Sequence, residues 1–253
     1  MTRNEGGTRE GKGTWRKLAS RSWLVFFLAW GLFAVGWEGA RWLGLVNPAL
    51  FPPLWEVAVV FGDGILDGSV FSACLYSLYR VVLGFFLGMS LAVGAGVCVT
   101  ASPILRALAN PLLAFFATLP PISLIPLSVF VFGVGEESKL AILVFAAFFQ
   151  GLVGILGGLA RVTPDSPLFS TFPRGRWLAV VVTASQTSFT ICWTTLMSAE
   201  IFSARKGLGA LVSDGQNFRH LPSMFLGIFL IGLMAAGFAA GLRFLERRVR
   251  NRG

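Results

Sequence analysis

Charge is what this chain has least of. Asp, Glu, Lys and Arg together make up 13% of its 253 residues, and there is one histidine. Hydrophobic residues make up 55%, and the mean hydropathy is +0.73. That balance excludes a soluble domain built on one large core and indicates an integral membrane protein. Cysteine is almost as scarce. Cys74, Cys98 and Cys192 are far apart and odd in number, so no disulfide framework or metal spacing is visible, and they read as small buried side chains. His220 stands alone, whereas metal sites need several convergent groups. The apolar runs hold no convergent His/Asp/Glu/Cys set, which leaves a membrane enzyme the weakest reading. The run Gly6-x-x-x-x-Gly11-Lys12-Gly13 lacks the Ser or Thr that would hold magnesium, and no strand precedes it. The chain therefore has no nucleotide site of its own. The net charge of +9 lies in tails and loops between apolar runs, which is not the footprint of a nucleic-acid binder.

What is present is a series of apolar stretches long enough for about 20-residue membrane helices. They fall at about 23–45, 81–105, 107–135, 140–160, 177–199 and 221–242, after a basic tail at 1–21 that is expected to be disordered. The fold class expected is all-α integral membrane protein with six transmembrane helices, residues 22–253 forming one transmembrane domain. In the first run Trp23, Trp30 and Trp37 share a helix face, and Glu38 and Arg41 have i,i+3 spacing for a pair. Residues 54–79 mix apolar residues with Glu56, Asp63 and Asp67 and read as interfacial rather than spanning. Gly84-x-x-x-Gly88 and the glycines at 151, 154, 157 and 158 provide small-residue packing sites. The fifth run is rich in hydroxyls: Thr183, Ser185, Thr187, Ser188, Thr190, Thr194, Thr195 and Ser198. These groups either line a polar route or bond to backbone carbonyls and neighbouring helices.

The third run has no charge between Arg106 and Glu136, yet it holds Pro120, Pro121 and Pro126. Each proline removes a backbone donor, and broken backbone at membrane depth must face protein or a wet cavity. Two readings stay open, a segment built around an interior passage and a kinked, packed helix. Six spans put both termini on one side. Fifteen of the 21 Lys and Arg fall on that side and six on the other, so the positive-inside rule places both termini in the cytoplasm.

Several stretches resemble one family. NPALFPP at 47–53, SLYRVVLGFFLG at 77–88, NPLLAFFATLPPISLIPLSVFVFGVGEESK at 110–139, SAEIFSARKGLGALVSDGQNF at 198–218 and FLERR at 244–248 are similar to the inner-membrane permease subunit of binding-protein-dependent ABC importers, of the nitrate/sulfonate/taurine type. The resemblance implies a type I importer permease fold in the cell inner membrane. It also implies a second permease copy, as homodimer or heterodimer, and an extracytoplasmic substrate-binding protein. No cofactor would bind this chain, since ATP would be hydrolysed on a separate ATP-binding cassette subunit, and the chain itself would not be an enzyme. Its partners would otherwise be membrane lipid.

The resemblance fails at one place. The family's Glu-Ala-Ala…Gly coupling loop after the fourth span is degenerate here, where RVTPDSPLFSTFPRGR stands at 161–176. Asp165, Arg174, Gly175 and Arg176 are the residues left to contact the ATPase. The expected function is a permease subunit forming the translocation path for a small polar or anionic solute. The path or gate candidates are Pro120, Pro121, Pro126, Ser198 and Glu200. The alternative is a permease-like subunit that has lost direct ATPase coupling and serves as heterodimer partner or scaffold.

Overall fold

The computed structural model describes residues 22–162, 174–203 and 205–250. Among them are nine α-helices: α1 (Ser22–Trp42), α2 (Leu54–Leu66), α3 (Ser69–Ala101), α4 (Pro103–Phe116), α5 (Ile125–Phe132), α6 (Glu136–Val162), α7 (Arg174–Ser203), α8 (Leu208–Asn217) and α9 (Leu221–Arg250). A 3-10 turn, Pro121–Leu124, lies between α4 and α5. The described residues contain no strand. The basic tail at 1–21 lies outside them.

The chain divides into two compact units, residues 1–59 and 60–253. In the first, the chain after α1 folds back on the helix. Arg41 Nε donates to Phe51 O at 2.9 Å, Trp37 Nε1 donates to Pro52 O at 3.1 Å, and Glu38 Oε1 accepts from the Leu54 N–H at 2.7 Å. The Glu38–Arg41 pair expected from their spacing forms, at 2.9 Å. It joins the helix end to the Pro-rich loop, whose backbone groups have few helical partners.

The second unit is centred on α6, which packs between α3 and α7. Glycine makes this packing possible. A Cβ added at Gly84 would stand 2.5 Å from Leu143 Cβ, and one at Gly88 would stand 2.6 Å from Val144 O. On α6, Gly151 meets Met89 and Ala92, while Gly154 and Gly158 meet Ala184 and Val180 of α7. Close backbone approach through small residues is the normal means of helix association in lipid, where burial of apolar surface gives no preference for protein over acyl chain. Gly237 and Gly241 of α9 face open space instead.

The helix boundaries differ from the sequence reading at four places. Residues 54–79 form α2 and the first third of α3, which are separated only by Asp67 and by Gly68 at φ 76°. Arg106, which the sequence leaves between the runs at 81–105 and 107–135, lies inside α4; the turn is at Ser102, whose side chain accepts from the Leu105 N–H. Glu136 to Lys139 form the first turn of α6 rather than a polar link. The polar stretch 200–220 contains the end of α7 and the whole of α8. At the ends of α3, α4, α6 and α7 a helix runs past the edge of its apolar stretch, because intrahelical hydrogen bonding does not end where hydropathy does, while α2 and α8 are short helices of their own.

By length and composition, three described helices suffice to cross a membrane, Ser69–Ala101, Glu136–Ala160 and Leu221–Phe244, and a fourth span results if α4 and the segment Pro121–Phe132 count as one. These two pieces are bent 84° from each other. Each proline of the bend stands where a missing N–H costs least. Pro120 is extended, Pro121 opens the 3-10 turn, and Pro126 lies in the first turn of α5.

Candidate functional site: the broken span and a buried charge clasp

The freed carbonyls of the bend find side-chain partners. Gln150 Nε2 of α6 donates to Ala117 O at 3.3 Å, Thr118 Oγ1 donates to Phe115 O at 2.8 Å, and Ser123 Oγ donates to Pro120 O at 2.7 Å. The bend is therefore a satisfied, built feature rather than a defect. Ile125 just beyond it is buried against Ile142 of α6 and Ala199 of α7. On the other side, Pro120, Ile122, Ser123 and Pro126 are exposed in the single chain, and Pro121 is half-buried.

Ala199 leads directly to Glu200, one of the path or gate candidates. Glu200 is fully buried, 0% exposed, and its carboxylate is held by three groups. Arg80 Nη1 donates to Oε1 at 2.6 Å, the Gly209 N–H donates to Oε2 at 2.9 Å, and Ser77 Oγ lies 2.8 and 2.7 Å from the two oxygens. Ser77 Oγ also accepts from the Leu208 N–H at 2.9 Å. Arg80 in turn clamps Glu136, with Nε and Nη2 donating to its two oxygens at 2.5 and 2.7 Å, and Nη1 reaches Lys206 O at 2.6 Å. Lys139 Nζ adds a bond to Glu136 at 3.1 Å. The ring of Tyr76 lies near both Arg80 and Lys206, 5.7 and 5.1 Å from its centroid. Two cations and two carboxylates balance, the part-exposed Glu136 supplying the second negative charge beside the buried Arg80, Lys139 and Glu200.

Local geometry makes this clasp possible. Ser77 and Arg80 are one helical turn apart on α3 and point the same way. Gly207, at φ 125°, lets the α7–α8 connection pass so close to Glu200 that a Cβ there would lie 2.5 Å from Oε1. The guanidinium fork supplies five donors in a fixed plane, enough for two carboxylates and a carbonyl together. The clasp thus ties α3, the start of α6, the end of α7 and the start of α8 into one body. None of this is acid–base machinery, because every polar atom of the cluster is committed to a neighbour.

Of the residues the sequence pointed to, the structure brings the proline bend and the end of α7 together, through Ile125 and Ala199. Ser198 is half-buried, and its Oγ donates to Thr194 O at 3.1 Å. Most hydroxyls of α7 are spent likewise on carbonyls three or four residues back, and Ser188 donates across to Ala147 O of α6 at 2.9 Å. Asp165 lies outside the described residues. Arg174, Gly175 and Arg176 form the first turn of α7, and their side chains lie outside the description as well. Sequence reasoning missed Arg80, Ser77, Glu136 and Lys139. The available signal was an arginine flanked by the apolar run that begins at Val81, since an ionisable group at membrane depth needs a named partner.

Comparison with other proteins supplies the family. No protein-family model matches the chain. It is 26% identical over 235 residues to the taurine transport system permease protein of Escherichia coli (strain K12), covering 86% of this chain and 85% of that one. A Brucella melitensis biotype 1 protein provisionally named an ABC transporter permease is 27% identical over 86% of this chain and 93% of its own. The chain is a homologue of ABC transporter permeases. A third relative, from Bacillus subtilis (strain 168), is provisionally assigned to aliphatic sulfonates transport and is 25% identical over 90% of this chain and 87% of its own. Together with the apolar helices, these homologues support a multi-pass membrane protein with a translocation-path role, and the likeness extends over most of the chain's length.

Proposed function

We propose that this permease forms, with a second permease copy, the path by which a small polar or anionic solute enters the cell, and that ATP hydrolysis on a separate cassette subunit drives it. The observation that carries this reading is the 84° bend, with one face anchored on α6 and α7 and the other uncovered. Lipid does not tolerate irregular backbone on its own, so the uncovered face belongs against a second copy or a water-filled passage. Pro120, Pro121 and Pro126 then border the path. Ser198 lies behind its wall, and Glu200 holds the wall in position. An extracytoplasmic binding protein delivers the solute, and both termini are cytoplasmic, as the charge bias favours. The names of the relatives, for taurine and for aliphatic sulfonates, support a sulfonate-like anion.

The test is reconstitution of the full chain with its cassette subunit and binding protein in vesicles, with ATP inside and labelled solutes outside. ATP-dependent uptake of a sulfonate or another small anion is expected. Absence of uptake for every solute tried refutes the reading. Uptake or cassette binding that appears only when a second, different permease is added assigns the chain the partner role instead.

A further inference from the structure

A groove of about 420 Å³ runs between α7 and α9, away from the clasp. Thr190, Trp193 and Thr194 line it from one face of α7, and α9 sets Ala236 and Ala239 opposite, too small to fill it. Gln186 and Arg243 close one end, where Gln186 Nε2 donates to Leu242 O at 3.4 Å.

The chemistry of the lining is uneven in an informative way. Thr190 Oγ1 donates to Gln186 O at 2.9 Å and Thr194 Oγ1 donates to Ile191 O at 3.0 Å. Their hydrogens are spent, and what they offer a visitor is lone pairs. Trp193 is 4% exposed, and its indole N–H meets no acceptor among the described residues. A buried donor without a partner costs about 1–3 kcal/mol, and hydrocarbon supplies no water to relieve it. Arg243 is exposed, with a guanidinium suited to a negatively charged head.

We propose that the groove is a binding subsite for a small organic anion that carries a hydrogen-bond donor at its far end. The anionic head sits at Arg243, the donor meets Thr190 or Thr194, and the Trp193 indole, 5.9 Å from the Phe238 ring between centroids, walls the groove beside them. Thr190 and Thr194 are one and two turns along from Gln186, so their hydroxyls stand roughly 6–12 Å from the head's end of the groove, a distance that includes a hydrogen bond at each end of the ligand. This rests on the permease reading and adds to it a location and a shape for the solute. An ethanolamine phospholipid headgroup carries the same pair of charges, so the experiment separates the two sources.

Equilibrium binding of radiolabelled taurine is measured on the full chain in phosphatidylcholine nanodiscs, with and without phosphatidylethanolamine. Saturable binding that the ethanolamine lipid leaves unchanged is expected. Arg243→Gln and the groove-filling Ala236→Leu weaken it by about tenfold or more, and Trp193→Phe by a smaller factor. Thr187→Val, on α7 outside the groove, leaves it unchanged, and Ala236 is exposed, so its leucine variant keeps the fold. Absence of saturable binding, displacement by the ethanolamine lipid, or binding indifferent to Ala236→Leu and Arg243→Gln overturns the subsite. ATP-driven uptake is read in parallel. Uptake that survives Ala236→Leu sinks the subsite and leaves the permease reading standing, whereas no uptake by the unsubstituted chain sinks the permease reading itself.

Discussion

Replacing Arg80 by methionine tests whether the clasp holds the helices together. The residue is 4% exposed, and its side chain bonds to Glu136, Glu200 and Lys206 O. Without it Glu136 loses little, because it keeps Lys139 and its side chain is 59% exposed to solvent. Glu200 has no such recourse, being fully enclosed with only Ser77 and the Gly209 N–H remaining. Breaking a buried pair from one side costs about 3–5 kcal/mol. The two surviving partners of Glu200 place the expected loss near the lower end, about 3 kcal/mol, or roughly a hundredfold in the folding equilibrium. Glu200→Gln leaves Arg80 paired with Glu136 and should cost less. In the double variant no buried charge is stranded, so its loss should fall short of the sum of the singles by about 1–3 kcal/mol. Unfolding in bicelles, followed by detergent titration of the four proteins, reads these differences. An Arg80→Met variant as stable as the parent, or strictly additive losses in the double, would show that the clasp does not bear on stability and that Glu200 has been assigned the wrong role.

Gly88→Val sets a side chain into the backbone of α6, where the added Cβ alone would stand 2.6 Å from Val144 O; a loss of about 1–3 kcal/mol or more is expected in the same titration. Gly237→Ala, which meets open space, should change stability by no more than about 0.5 kcal/mol. At the start of α3, the Ser69 hydroxyl and N–H hold the Asp67 carboxylate below its ordinary range. The folded state therefore favours the ionised form, and the support it gives is present above that range and is lost as the pH falls through it. Amide exchange in the first turn of α3 should rise on acidification, and Asp67→Asn should abolish that pH dependence.

The all-helical character, the apolar places of α3, α6 and α9, the glycine contacts of α3 with α6, the Glu38–Arg41 pair and the break at Pro120 and Pro121 were legible in the sequence. Each is set by local chemistry: apolar length, a missing Cβ, a three-residue spacing, a missing N–H. The family was legible too, from motifs such as SLYRVVLG and GVGEESK. The clasp was not, although it draws on those same two motifs. Arg80 reads as a charge at the edge of a span and Glu136 as the charge that ends the third run, and nothing in either neighbourhood points ahead to Glu200, which lies 120 residues beyond Arg80. Only the packing of α3, α6 and α7 brings the three together, because a buried ion must be neutralised by whatever lies beside it in space. In the same way, the sequence offered the hydroxyls of α7 without saying which were spent. The helix backbone answers that for Thr190, Thr194 and Ser198, and only the approach of α9 makes a groove of what remains.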